Sequence, residues 1–298
     1  MATTAPVLWL DGALVPVKDA AIPLMAHAPQ RGSLVFDVGS FHPTSRGPAL
    51  FRAPEHVARF VRSAKIVGLD LPFDEDVILQ AAVRVVAESG RDEGLVRWSA
   101  FYDVTEPDLV PKATAAHVAV AAQIYDTPPS QAPIRVSIFD DARKAPPEVL
   151  SPEAKAAAAY LGPMLARRRA IAAGSDDVIL LDTSGDIAEA PVSNAFAVVD
   201  GALWTPPLGR ILPGITRDSV IAIAKDQGID VREAPLPLGV FRSAAEAFLT
   251  STSAPLSPIG WIDGVPLEAP GKITKRLLER LDAARHGRER EAWSTFVR

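Results

Sequence analysis

Hydrophobic and polar positions change period several times along the chain, and the changes mark its elements. "VLWLDGALVPV" (7–17) sets two apolar runs around Asp11-Gly12, a pair that tolerates the positive φ of a tight hairpin turn, so the chain opens with sheet. "PEHVARFVRSAKIVGL" (54–69) places Val57, Phe60, Val61, Ile66 and Val67 at helical spacing behind Pro54, which suits a first helical turn. "DEDVILQAAVRVVAESG" (74–90) repeats the helical period and stops at Gly90, and "GLVRWSAFYD" and "HVAVAAQIYD" read as later strands.

At "YDTPPSQAP" (125–133) Pro and polar residues displace the apolar pattern long enough to predict a linker. Beyond it the sequence predicts a strand at "IRVSIF" and a helix from Lys155 to Gly174. Short strands follow, with turns at Ser184-Gly185 and Asp200-Gly201, then helices at 216–228, near 239–247 and at 271–286. The expected architecture is a mixed α/β chain of the α+β type with largely antiparallel sheets. It divides into a small N-terminal domain (1–124), a linker (125–133) and a larger domain (134–298).

Composition narrows the function. The 298 residues are 48% hydrophobic and 22% charged, as in an ordinary globular protein, and the net charge of -5 argues against nucleic acid as a main partner. The basic cluster "LARRRA" reads as a solvated helix face. The chain has no cysteine, which removes disulfides, thiolate nucleophiles and zinc-thiolate sites together. No metal site is expected. No apolar run reaches the ~18 residues of a membrane span, and no basic n-region with an apolar core opens the chain, so a cytoplasmic location is expected. No GxGxxG follows a strand and no GxxxxGK[ST] occurs.

Four segments carry candidate chemistry. In "LPGITRDSV" the turn at Pro213-Gly214 precedes Ile215 and Thr216 at a helix start, where backbone N–H groups and a hydroxyl form an anion site; the alternative is that Thr216 is only an N-cap. Glu189 sits in a small, apolar stretch and is either solvated on a turn or paired with a buried cation. "LTSTSAPLSPIG" offers Ser251, Thr252 and Ser253 before a Pro-containing loop. In "SPEAKAAAAYLGPM", Lys155 stands among small side chains that leave room for a flat ring beside an amine suited to Schiff-base chemistry; otherwise it is a surface lysine on an alanine-rich helix.

Taken in order, "HAPQRGSLVFD", "ALFRAPEHVARFVRSAKIVGLDLPF", "SPEAKAAAAYLGPMLARRRAIAAGSDDVILLD", "GDIAEAPVSNAFAVVDGALWTPP", "ILPGITRDSVIAIAKDQGIDV" and "AFLTSTSAPLSPI" resemble the fold-type IV pyridoxal-phosphate aminotransferases over nearly the whole chain. The likeness is nearest to the branched-chain, D-amino-acid and (R)-amine transaminase group. The resemblance implies that Lys155 carries pyridoxal 5'-phosphate and moves the substrate proton, and that Tyr160 bonds the cofactor's phenolic oxygen. It implies further that Glu189 faces the pyridine nitrogen, and that Arg59, Ile215, Thr216 and Thr252 hold the phosphate.

Departures from the family pattern fall on the substrate side. Arg31 stands where the branched-chain enzymes commonly have tyrosine, Leu95 replaces another tyrosine, and Ser40 replaces an arginine. Arg97 is retained; with Arg31 it forms a candidate carboxylate trap, while a subunit-contact salt bridge for Arg31 and a structural role for Arg97 stay open. Ser251, Pro191 and Ser193 also depart from the family's loops. Phe36, Trp98, Tyr125 and Ser253 complete the expected substrate pocket, the aromatic residues serving equally well as core.

The activity implied is ping-pong transamination from an amino donor to a 2-oxo acid acceptor. The donor is a D-amino acid, an L-branched-chain amino acid or an (R)-amine. Elimination of pyruvate, as in aminodeoxychorismate lyases, is the second reading, and a non-catalytic binding relative is the third. A homodimer or larger homo-oligomer is implied by resemblance.

Overall fold

The computed structural model describes residues 2–112, 115–125, 130 and 132–297. The chain order begins β1 (Ala2–Leu10), β2 (Ala13–Pro16), α1 (His27–Arg31), β3 (Leu34–Thr44), β4 (Gly47–Phe51), α2 (Ala53–Val67), α3 (Glu75–Ser89), β5 (Gly94–Phe101) and β6 (His117–Tyr125). It continues β7 (Ile134–Arg143), α4 (Leu161–Ala172), β8 (Asp177–Leu181), β9 (Ile187–Ala190), β10 (Ser193–Val199), β11 (Ala202–Thr205), α5 (Ile215–Asp226) and β12 (Val231–Glu233). The last elements are α6 (Leu238–Arg242), β13 (Glu246–Thr250), β14 (Ser257–Ile262), β15 (Val265–Pro266), α7 (Lys272–Arg285) and β16 (Ser294–Phe296).

Two compact units result: Met1–Pro128 with Ala154–Ala158 and Ala283–Arg298, and Pro129–Glu153 with Ala159–Asp282. The expected division at 134 is linear, whereas two later pieces of chain belong to the first unit. Ala156 bridges Val35, and β16 pairs with β4. Residues 126–129 and 131 of the expected linker lie outside the described residues.

In the first unit a seven-stranded sheet, ordered β16-β4-β3-β5-β6-β1-β2, is antiparallel throughout. Asp11 (φ 48) and Gly12 (φ 100) make the predicted hairpin turn. Asp74 caps α3 by accepting from the Val77 N–H at 2.8 Å. Val57, Phe60, Ala64, Ile78, Ala82 and Val85 from α2 and α3 pack with Val96, Trp98, Val118 and Val120 from the sheet. Each of the larger side chains in this core contributes about 1.5–3 kcal/mol through the apolar area it removes from water.

The same sheet positions the site. β4 pairs with β3 only along Ser40–Thr44, so the Leu34–Gly39 stretch has no neighbour on that side from β4. Lys155 and Ala156 fill the gap: Phe36 N–H donates to the Lys155 carbonyl at 3.0 Å, and Val35 bridges Ala156.

The second unit carries a sheet with β14–β7, β7–β8 and β11–β12 parallel and the remaining pairs antiparallel, more mixed than the hairpin signals implied. Pairing of β9 with both β8 and β10 closes the path β10, β13, β14, β7, β8, β9 on itself. Its core holds Ile138, Ile179, Leu181, Ile187, Phe241 and Ile259.

Two predicted helices differ. The chain from Lys155 is not helical: Ala157–Tyr160 forms a 3-10 turn and α4 starts only at Leu161, because both main-chain polar groups of Lys155 are bonded elsewhere. The helix near 239–247 ends at Arg242, since Glu246–Thr250 is a fully buried strand. Among the described residues no helix is long and apolar enough to cross a membrane.

Candidate active site

Arg59 projects from α2 and is almost fully buried. Its Nε donates to Asp37 Oδ2 at 2.7 Å and its Nη2 to Asp37 Oδ1 at 2.8 Å, a two-point grip that fixes the guanidinium plane. His56, nearly one turn earlier on α2, also meets Asp37, with Nδ1 2.7 Å from Oδ1, and stacks on Trp98. Burial alone would raise the Asp37 pKa, but Arg59 and His56 outweigh it and hold the carboxyl well below the usual range. Asp37 is therefore an anion whose role is to orient a buried cation.

Lys155 lies in an extended segment against β3. Its N–H donates to Ser63 Oγ at 3.0 Å and its carbonyl accepts from Phe36. The Lys155 Nζ stands 5.0 Å from the centroid of the Phe36 ring, and the Arg97 guanidinium stands 4.2 Å from the same centroid. Alternation puts Phe36, Val38 and Ser40 of β3 on one face, cross-strand from Ser99, Arg97 and Leu95 of β5. That face offers an apolar wall, one guanidinium and one amine.

In the second unit Glu189 is buried on β9. It is ion-paired with Lys144, and its Oε2 accepts from Asn194 Nδ2 at 2.8 Å. Leu212 N–H points at the same carboxylate, 3.2 Å from Oε2. The surface-turn alternative for Glu189 is thus replaced by the buried pair. Register sets Glu189 beside Asn194 and Asn194 beside Thr250, so one rung across β9, β10 and β13 carries a carboxylate, a carboxamide and a hydroxyl. The Thr250 Oγ1 is buried and has no hydrogen-bond partner among the described residues.

Asn194 also ties this rung to the start of α5. Its Nδ2 donates to the Leu212 carbonyl at 3.0 Å, and a Cβ on Gly214 would lie 1.9 Å from its Oδ1, so only glycine fits there. Gly214 is the N-cap of α5 and no side chain caps the helix. Thr216 is therefore not an N-cap. It lies buried in the first turn, beside Ile215, where backbone N–H groups favour an anion. Arg217 is turned away from this end, with Nη2 on the Pro206 carbonyl and on Glu233. Thr252 and Ser253 sit half-buried in a turn that Ser251 closes with Ala254, its Oγ donating to the carbonyl and accepting from the N–H.

The other expected residues are dispersed. Tyr160 ends the 3-10 turn and is half-buried. Arg31 ends α1 with an exposed guanidinium bonded to the Gln30 carbonyl. Trp98 belongs to the core: it is fully buried on the opposite face of β5 from Arg97 and its Nε1 donates to the Ile78 carbonyl. Tyr125 ends β6, and its side chain lies outside the described residues. Sequence reasoning passed over Asp37, His56, Ser63, Lys144 and Asn194. Only Asn194, at a fixed five-residue step from Glu189 across a short turn, left a signal in the pattern.

One unit thus holds a lysine and an oriented arginine, and the other a buried carboxylate beside a helix N-terminus that no side chain caps. Residues 35–262 match the family model described as amino-transferase class IV. The branched-chain-amino-acid aminotransferase of Escherichia coli (strain K12) is 30% identical over 296 residues, covering 97% of this chain and 96% of that protein. The one from Pseudomonas aeruginosa is 30% identical over 282 residues, 93% of this chain and 92% of that one. Among solved structures, the branched-chain aminotransferase of Thermoproteus uzoniensis with norvaline superposes with a TM-score of 0.94 at 32% identity, over 99% of this chain and 100% of that one. The Thermobaculum terrenum branched-chain amino acid aminotransferase, in its PLP-bound holo-form, gives 0.91 at 26% identity, over 99% of each chain. The chain belongs to the class IV aminotransferases.

Proposed function

We propose that this aminotransferase moves the amino group of a hydrophobic donor to a 2-oxo acid, with Lys155 as the reacting amine and Arg97 as the carboxylate-binding cation. Its cofactor is pyridoxal 5'-phosphate. The donor set fits that group: an oriented buried arginine and a helix N-terminus suit its phosphate, the Glu189 carboxylate suits a protonated ring nitrogen, and the orphaned Thr250 hydroxyl lies on the rung with Glu189. When bound, it supplies an aldehyde for the amine and a ring that takes up the electron pair left on the donor carbon.

The protein's part is positional and electrostatic. In the first unit Arg59, held by Asp37, is the cation for the anionic end; in the second, Ile215, Thr216 and Thr252 offer donors suited to the same group. Lys155 Nζ takes the proton from the donor carbon and returns it. Glu189 sets its carboxylate against positive charge on the ring, and Tyr160 donates to the phenolic oxygen.

The observation that carries the reading is the meeting of the Lys155 amine and the Arg97 guanidinium on one aromatic ring, Phe36. A substrate with its reacting carbon at the amine and a carboxylate at Arg97 would lay its apolar part on Phe36, Val38 and Leu95. The names of the relatives support an L-branched-chain donor. Leu95 and Ser40, where the branched-chain enzymes have tyrosine and arginine, and Arg31 favour the second reading, a D-amino acid or (R)-amine.

Absorbance spectra of the holoenzyme before and after L-leucine, D-alanine or (R)-1-phenylethylamine separate these. Conversion of the long-wavelength band by L-leucine supports the first reading, and conversion only by one of the others supports the second. Pyruvate release from aminodeoxychorismate without an amino acceptor would replace both with the lyase. We further propose a cytoplasmic homodimer or larger homo-oligomer, its assembly to be tested by sedimentation.

A further inference from the structure

Ser63 lies one helical turn beyond Arg59 on α2 and is fully buried. Its hydroxyl donates to the Arg59 carbonyl at 2.8 Å and accepts from the Lys155 N–H at 3.0 Å. A hydroxyl has one proton and two lone pairs, so both bonds coexist. From the other side the Lys155 carbonyl accepts from Phe36 N–H, and the next residue, Asp37, grips Arg59. The contacts close a circuit: Ser63 to Lys155, Lys155 to β3, β3 through Asp37 to Arg59, and Arg59 along α2 to Ser63.

We infer that Ser63 is a positioning residue that keeps the main chain of Lys155 in register with Arg59. The inference rests on Lys155 being the reacting amine and Arg59 the phosphate cation, as proposed above. Lys155 belongs to no helix or strand, so no regular ladder fixes its backbone. Its long side chain magnifies any displacement of the Cα at the Nζ. The Ser63 bond removes that freedom on the N-terminal side, as the Phe36 bond does on the C-terminal side. A residue of no evident chemistry thereby sets the separation between the amine that reacts and the cation that anchors the cofactor.

The test begins with cofactor-free protein. In Ser63→Ala, hydrogen exchange at the Lys155 amide should be about tenfold faster, the effect of losing one hydrogen bond, with the amides of α2 unchanged. Ser63→Thr retains the hydroxyl and should exchange as the wild type does. On adding pyridoxal phosphate, the lysine-linked absorbance band should grow about tenfold more slowly in Ser63→Ala and normally in Ser63→Thr. Affinity for inorganic phosphate, which reports the phosphate end alone, should stay within about twofold.

Wild-type exchange and attachment rates in Ser63→Ala would overturn the inference, and so would faster exchange spread over all of α2. If Ser63→Ala does not fold, Ser63→Cys, with a weak acceptor of similar size, takes its place under the same criteria. Borohydride reduction of wild-type holoenzyme followed by peptide mapping separates the two levels of the argument. A tag on Lys155 upholds the functional reading whatever Ser63 does, and a tag on another lysine ends that reading even if the Ser63 bond is present.

Discussion

Asp37 grips Arg59 at two points, Nε to Oδ2 at 2.7 Å and Nη2 to Oδ1 at 2.8 Å, with no part of the carboxylate exposed. Two charges withdrawn from water stabilise the fold only together, because either left alone is a buried, uncompensated ion. The arrangement holds the arginine rigid, and a rigid cation would lose less entropy on taking the anion proposed above.

Asp37→Asn should therefore lower the stability of the cofactor-free protein by about 3 kcal/mol at pH 7 in urea denaturation, and weaken phosphate binding. The Asp37 pKa is lowered in the fold, so its contribution is complete above the ordinary value of 3.8 and fades as the pH falls below it. The gap between variant and wild type should be constant from about pH 5 to 7 and narrow below about pH 3.8. A gap independent of pH down to acid unfolding would show that the charge is not what holds Arg59.

Glu189 is the carboxylate of the rung it shares with Asn194 and Thr250, and its two oxygens are bonded by Lys144, Asn194 and Leu212. Glu189→Gln preserves shape but removes the charge that the proposed function sets opposite the cofactor ring. We expect kcat to fall by about 10²–10³, the scale seen when one preorganised electrostatic group is removed, with cofactor affinity changed far less. Loss of cofactor binding with normal turnover by the remaining holoenzyme would mean that Glu189 anchors rather than polarises.

α2, α3, β5 and β6 were legible because each buries one face: apolar residues recur every second position in β5 and β6 and every third or fourth in α2 and α3, whereas β3 and β4 were not read. Lys155, Glu189 and the helix start at Ile215 and Thr216 were singled out through a family likeness. What holds them was not. Asp37 looks like an ordinary polar residue in a strand, and nothing near it in sequence announces Arg59, 22 positions away. Lys155 read as helical because alanines favour helix, and long-range bonds to Ser63 and Phe36 override that local preference. Trp98 read equally as pocket wall or core because strand alternation reveals faces, not which face is buried, and its full burial decides for core.

Lys144 pairs with Glu189 from just beyond the end of β7, and both side chains are mostly buried. Removing the amine in Lys144→Met leaves a buried carboxylate without its cation. Cofactor-free protein should lose about 3 kcal/mol in urea denaturation, and pyridoxal phosphate should restore more stability to the variant than to the wild type, because a protonated ring nitrogen supplies the missing positive charge. Equal stabilisation of both proteins by the cofactor would mean that the ring nitrogen does not take the place of Lys144 at Glu189.

His42, on β3, gives the fold a pH dependence of opposite origin. It is almost completely buried, neither ring nitrogen has a hydrogen-bond partner among the described residues, and the nearest carboxylate oxygen, Glu93 Oε1, stands 3.5 Å from Nδ1. Burial lowers its pKa from 6.5 to about 4; Arg285 and His286 of the α7 end push the same way and Glu93 opposes. The unfolded chain therefore takes up a proton near pH 6.5 that the folded chain refuses until about pH 4, so stability falls as the pH drops through that window. The full shift corresponds to roughly 3 kcal/mol. His42→Leu removes the titration, so the difference between wild type and variant should grow in the variant's favour by about that amount from pH 6.5 to about 4 and then level off. Parallel pH profiles for the two proteins in urea denaturation would show that His42 charges as readily in the fold as outside it.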